Sequence, residues 1–241
     1  MAQDTQVQKH WFKPLMLLLG LFAVVFLASI ILIDYKKSKS NVDSFVELTQ
    51  GSSSKSSSEN IIAASRPAIP KLETTEDPYL GKKDASVVVV EFGDFQCPYC
   101  REIYPTLREI SMKYQDRVKF IFRDFPLSQI HERAQAAAEA AGCAFAQSND
   151  KFWAYHDKLF QNQDNLTDED LKNYAVQVGL DEKKFSECFT SGERKAEINE
   201  DFLDGAAQDV TGTPTFFFNG RKVQGVIPKD KFEKALDLFL K

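Results

Sequence analysis

Cysteine is scarce in this chain, four residues among 241, and histidine is scarcer at three. Four cysteines are too few for a disulfide framework that stands in for a hydrophobic core, so each of them needs its own explanation. A basic excess is also missing: 30 Lys and Arg face 35 Asp and Glu, a net charge of −5. Nucleic acid is thereby excluded as an expected partner, because phosphate neutralisation needs clustered cations. No glycine-rich dinucleotide or phosphate loop occurs, and no cofactor is expected. Two of the histidines, His131 and His156, fall in helical patterns with apolar or aromatic neighbours and read as structural rather than as general bases. No internal repeat is visible.

What is present divides the chain. A 43% hydrophobic content supports one well-buried domain, with something set apart at the front. Leu15 to Ile33 is uncharged and apolar; as a helix it is about 28 Å long, close to the roughly 30 Å hydrocarbon core of a bilayer. Trp11 and Tyr35 bracket it as interfacial anchors do. A cleaved signal peptide is the competing reading, but Phe26, Leu27, Ala28 places a bulky ring where a small residue is wanted. The expected organisation is a short tail over 1–14, a transmembrane anchor over 15–35, a Ser- and Lys-rich tether over 36–76 and a folded domain over 77–241. As a flexible chain the tether would span about 35 Å. Lys9 and Lys13 before the span against Lys36, Lys37 and Lys39 after it leave the orientation undecided on charge alone.

Within the folded part, Ser86 to Phe92 is short, apolar and β-branched, as a buried central strand is. The spacing predicts a helix from Cys97 to about Tyr114, with an apolar stripe of Ile103, Leu107, Ile110 and Met112 and with Pro98 tolerated in the first turn. Val118 to Phe122 reads as a second strand, parallel to the first. A helical stretch follows over about 128–208, including a capping box at Thr167 to Asp170. Thr215 to Phe218, Asn219-Gly220 and Arg221 to Gln224 form a hairpin signal, and an amphipathic helix starts near Lys229. The expected fold class is α/β, a β-α-β and β-β-α layout with a helical insertion.

The chemistry centres on Cys97, Pro98, Tyr99, Cys100. A strand delivers the first cysteine to a helix start, where unpaired amides and the helix dipole favour a thiolate. Cys97 is therefore expected to be the exposed, low-pKa thiol, and Cys100, one turn on, the shielded resolving partner. A structural disulfide at this spacing would remove little chain entropy, so a redox role is preferred.

The chain resembles the DsbA-like thiol:disulfide oxidoreductases of the thioredoxin superfamily. The likeness is carried by Asp77 to Gly81, Glu91 to Cys100, Phe122-Arg123-Asp124-Phe125-Pro126-Leu127, Lys151 to Phe160 and Thr211-Gly212-Thr213-Pro214-Thr215. It implies a thioredoxin fold with an inserted helical domain, working outside the cytoplasm. It also implies a buried proton-relaying acid at Glu91 and a cis-proline loop at Thr213 and Pro214, whose main chain would bind extended substrate. In that compartment Cys143 and Cys188 are expected to pair, as a second structural disulfide does in some members, with free buried thiols as the alternative. Closing their loop would contribute about 4 kcal/mol. A zinc site on the four cysteines lacks the usual ligand spacing, and no metal is expected. Tyr99 departs from the family's strongest oxidases, which carry His between the cysteines.

The expected function is that of a single-pass, membrane-tethered oxidoreductase, its catalytic domain outside the cytoplasm, that introduces disulfides into folding proteins. By the resemblance, a quinone-reducing, DsbB-like membrane protein would reoxidise it. A reductase or isomerase kept reduced by a membrane partner is the alternative, and a non-catalytic module holding unfolded chains is a second. The sequence carries no indication of oligomeric state.

Overall fold

The computed structural model describes residues 72–74 and 77–241. The expected tail, membrane anchor and nearly all of the tether lie outside these residues; among those described, no helix is long and apolar enough to cross a membrane. A five-stranded mixed sheet is built from β1 (Tyr79–Gly81), β2 (Val87–Gly93), β3 (Val118–Asp124), β4 (Thr215–Phe218) and β5 (Arg221–Gln224). Their spatial order is β1-β3-β2-β4-β5, with β2 and β3 parallel. The parallel pair needs a crossover, which α1 (Pro98–Lys113) supplies. Asn219 and Gly220 both take positive φ, 46° and 87°, which permits the two-residue turn joining β4 to β5.

β2 is central, which is why its run of four valines is buried on both faces. On one face Val88, Val90 and Phe92 pack with Ile121, Phe125, Val210 and Phe217. On the other, Val89, Phe120 and Phe216 lie under Tyr104 and Leu107 of α1. The last helix, α7 (Lys229–Phe239), sets Phe232 against Phe216 and Phe218.

Five helices form the insertion: α2 (Ala134–Phe145), α3 (Asn149–Gln161), α4 (Asp168–Gln177), α5 (Glu182–Ser191) and α6 (Lys195–Ala207). Small alanines of α2 let Phe152, Tyr155, Leu159 and Phe160 of α3 approach closely, and the same cluster takes in Phe95, Cys97 and Cys100. The insertion thus packs directly on the dithiol segment. α6 lies against the opposite sheet face, where Gly205 faces Phe125 and Phe92 with a β-carbon position only 2.8 Å from the Phe125 ring. A side chain there would not fit. Buried Arg123 ties that face together through Asp201 and Asp204 of α6 and Asp77.

Three expectations change. The folded part begins before Asp77, since Leu72 joins the core at 2% exposure and Glu73 pairs with Lys119. Met112 is 62% exposed and does not belong to the apolar stripe of α1, whose buried residues include Ile103 and Ile110. β1, antiparallel to β3, is an edge strand that was not expected; three residues are too few to show a period.

Candidate functional site

Beyond Gly93 the chain leaves the sheet and turns through Asp94 to Gln96 into Cys97, the N-cap residue of α1. Asp94 builds the turn. Its carbonyl accepts from the Cys97 amide at 3.0 Å, and its buried carboxylate accepts from the amides of Gln96 at 2.7 Å and Leu127 at 2.9 Å. His131 Nδ1 lies 2.7 Å from the same carboxylate. Gln96 Oε1 in turn accepts from the Arg133 amide, and the Gln163 side chain donates to the Phe95 and Cys97 carbonyls.

Cys97 and Cys100 are both free thiols. Cys97 is 3% exposed, which corrects the expectation of an exposed thiol; Pro98 and Tyr99 beside it are the exposed residues of the motif. The burial arises because the cis Thr213-Pro214 loop lies over the sulfur, and the Thr213 carbonyl accepts from the thiol at 3.3 Å. Despite burial, the Cys97 pKa is lowered from 9.0 to about 6. The largest cause is the hydrogen bond from Cys100, followed by one from Thr213 and then by the amides of Cys100 and Tyr99. Cys100 is fully buried, and desolvation first, then the hydrogen bond with Cys97 and the charges on Cys97 and Glu91, pushes its thiol well above the ordinary value.

Glu91 sits mid-sheet, in register with Phe122 of β3 and Phe216 of β4. Desolvation, with a smaller contribution from Cys97, raises its carboxyl from 4.5 to about 8. It borders a cavity of about 30 Å³ shared with Tyr104, Arg108, Ser111 and His156. That volume admits a water molecule. His156 itself is 3% exposed among Phe95, Phe122, Trp153 and Phe160, and burial lowers its pKa.

Cys143 of α2 and Cys188 of α5 are joined by a disulfide, with their Cα atoms 5.8 Å apart. It closes the insertion rather than reaching the dithiol. Sequence reasoning missed Asp94, Gln96 and Gln163, and read His131 only as a helix residue. Asp94 lies inside the motif-bearing stretch Glu91 to Cys100, which was a signal; Gln163, one polar residue in a turn, offered none.

A helix-capping dithiol with unequal thiols, a cis-proline loop across it and an insertion packed on it define a candidate thiol–disulfide exchange site on a thioredoxin-like α/β fold. The chain belongs to the thioredoxin family, in its DsbA-like branch: a family profile described as thioredoxin matches residues 73–238. A probable disulfide bond formation protein D of Bacillus cereus is 34% identical over 175 residues, 67% of this chain and 78% of that one. A Na(+)/H(+) antiporter NhaA 3 of Salinispora tropica is 39% identical over 154 residues, but the chain covers only 23% of that relative's length. Among solved structures, oxidised BdbD from Bacillus subtilis superposes with a TM-score of 0.60 at 27% identity, over 68% of this chain and 93% of that one.

Proposed function

We propose that this protein is a membrane-tethered, extracytoplasmic thiol:disulfide oxidoreductase that introduces disulfides into folding proteins. The carrying observation is the inequality of the two thiols, Cys97 lowered to about 6 and Cys100 raised well above its ordinary value. The likeness to the Bacillus cereus protein, named for disulfide bond formation, supports the oxidising direction. In the oxidised enzyme a substrate thiolate attacks Cys97 Sγ, the Cys97–Cys100 bond breaks, and Cys100 departs as a thiolate. Glu91, protonated at neutral pH, supplies the proton that Cys100 takes up. A second substrate thiolate then attacks the substrate sulfur of the mixed disulfide and releases Cys97 as a thiolate, which its low pKa makes a good leaving group. Two electrons pass from two substrate thiols to the enzyme disulfide.

The Thr213 main chain beside Cys97 is the edge on which an extended substrate segment pairs, a mode that accepts many sequences. Reoxidation falls to a quinone-reducing, DsbB-like membrane protein, and residues 15–35 hold the domain at the membrane. Antiport is not proposed, since the match spans 23% of the antiporter and the site described is a dithiol. One feature favours the opposite direction. Tyr99 puts a neutral phenol between the cysteines, so no cation there stabilises the reduced form, as a strong oxidase requires.

The test offers the purified protein a reduced and a scrambled disulfide substrate in parallel. Oxidation of the first without rescue of the second is the expected result. Rescue of the second alone would assign the protein to isomerisation, and binding without exchange in either would make it a holding module.

A further inference from the structure

The turn that leaves α3 comes back to the dithiol. Gln163 lies in it at 5% exposure, and its Nε2 donates to the Phe95 carbonyl at 2.9 Å and to the Cys97 carbonyl at 2.8 Å. Both hydrogens of the amide are used, so the group has one orientation. The Cys97 carbonyl also accepts from the Arg101 amide at 3.1 Å, the first bond of α1. The neighbouring Asp164 accepts from Arg101 Nη1 at 3.0 Å. One turn therefore grips the start of α1 twice, once at the Cys97 carbonyl and once at a side chain one helical turn further on.

The Cys97 carbonyl matters because Pro98 has no N–H. The peptide plane between these residues offers only that carbonyl as a handle, and the plane is rigid, so its tilt sets where the next amides point. Those next amides, of Tyr99 and Cys100, belong to the first turn of α1, whose N–H groups have no partner within the helix, and they contribute to the lowered Cys97 pKa. The other supports of the segment, Asp94 and Gln96, bond to Leu127, His131 and Arg133 between β3 and the start of α2. Gln163 comes from beyond α3.

We propose that Gln163 is a positioning residue for the dithiol: by holding the Cys97 carbonyl it fixes the tilt of the first turn of α1 beside the Cys97 sulfur, so that the insertion tunes the Cys97 thiolate. This rests on the reading of Cys97 as the sulfur that exchanges. A residue that merely fills space would affect melting and nothing else.

The test uses the full chain with Gln163→Met, close in length and without donors, and Gln163→Glu, close in shape but presenting a carboxylate to two carbonyls. Thiolate absorbance against pH, the equilibrium constant with glutathione and thermal melting are measured for each. The thiolate midpoint is expected to rise by about half a pH unit or more in Gln163→Met and further in Gln163→Glu, with the glutathione equilibrium moving about threefold or more towards the enzyme disulfide. Midpoints and equilibrium constants equal to those of the wild type, whatever the melting temperature, would overturn the proposal. Should Gln163→Met not fold, Gln163→Glu decides alone. A wild type that does not exchange with glutathione would overturn the exchange reading itself, and the inference with it; unchanged variants beside an exchanging wild type overturn only the inference.

Discussion

The Cys97 sulfur and the Thr213 carbonyl oxygen, 116 residues apart in sequence, lie 3.3 Å from each other. In the proposed exchange, substrate pairing on that edge would meet Cys97 and not Cys100, which is fully buried. Cys97→Ser should therefore abolish exchange with any disulfide. Cys100→Ser should keep the attack and lose its resolution, so that mixed disulfides with substrate accumulate. Non-reducing gels and intact mass, on reduced and on scrambled substrate, separate these outcomes. Exchange persisting in Cys97→Ser would place the chemistry elsewhere.

Glu91 is costly to the fold. Its carboxyl is raised from 4.5 to about 8, so in the folded chain it is protonated at neutral pH whereas in the unfolded chain it is ionised. A raised acid gives stability that is whole below the unfolded pKa and declines as pH rises from about 4.5 towards 8. Glu91→Gln removes that decline and should stabilise the protein at pH 7 by up to about 3 kcal/mol. Oxidation of substrate should slow about tenfold or more, because Cys100 loses its proton source. Melting from pH 5 to 8, beside single-turnover rates, checks both; a variant that is no more stable would mean that the Glu91 carboxyl titrates near its ordinary value.

The Cys143–Cys188 bridge encloses 45 residues of sequence separation within the insertion. The double variant Cys143→Ala/Cys188→Ala should lose about 4 kcal/mol of stability by the chain-entropy estimate. Its exchange chemistry should remain, since the bridge does not touch the dithiol. Denaturant titration of the two proteins, each with Cys97 and Cys100 reduced, measures the difference. A thiolate midpoint for Cys97 that moved with the bridge removed would show that the packed cluster containing both cysteine pairs couples them.

Much of the sheet was legible because its signals are local. Four valines in a row mark β2, and Asn219-Gly220 after the run Thr215 to Phe218 marks the hairpin. β1 was not legible: three residues carry no period, and what makes Tyr79–Gly81 a strand is β3 beside it. The dithiol could be placed at a helix start, but its exposure could not, because the covering loop at Thr213 arrives from 116 residues away. Asp94 with His131, and Gln163 with Phe95 and Cys97, bridge separations of 37 to 68 residues. Polar contacts of that reach leave no periodicity, so only the assembled insertion displays them.

The reduced protein should gain stability with pH in a window set by Cys97. A thiol lowered from 9.0 to about 6 contributes stability that is whole above about pH 9 and is lost as pH falls through 6. Reduced wild type and reduced Cys97→Ser should diverge across that window by about 1.4 kcal/mol per pH unit. Glu91 works the other way between pH 4.5 and 8, and because burial is the larger cause of its shift and Cys97 the smaller, most of its effect cancels in the difference between the two proteins. Parallel curves would mean that Cys97 titrates near its ordinary value.

Tyr99 bears on the direction of electron flow and is accessible to a clean test, since at 56% exposure its replacement leaves the core intact. A protein whose reduced form is more stable is a stronger oxidant. With a neutral phenol between the cysteines, the reduction potential is expected to lie between about −270 and −120 mV, the range from thioredoxin to the strongest oxidants. Tyr99→His places a titratable donor beside the Cys97 thiolate and should lower its midpoint below about 6 at pH values where the imidazole is charged. Each unit of that shift corresponds to about 1.4 kcal/mol, or about 30 mV for this two-electron couple. Equilibration of both proteins with glutathione measures the change. A rise of about 30 mV or more, with faster oxidation of reduced substrate, is the expected result. An unchanged potential would mean that the cap of α1 and the Cys100 thiol set the redox poise by themselves.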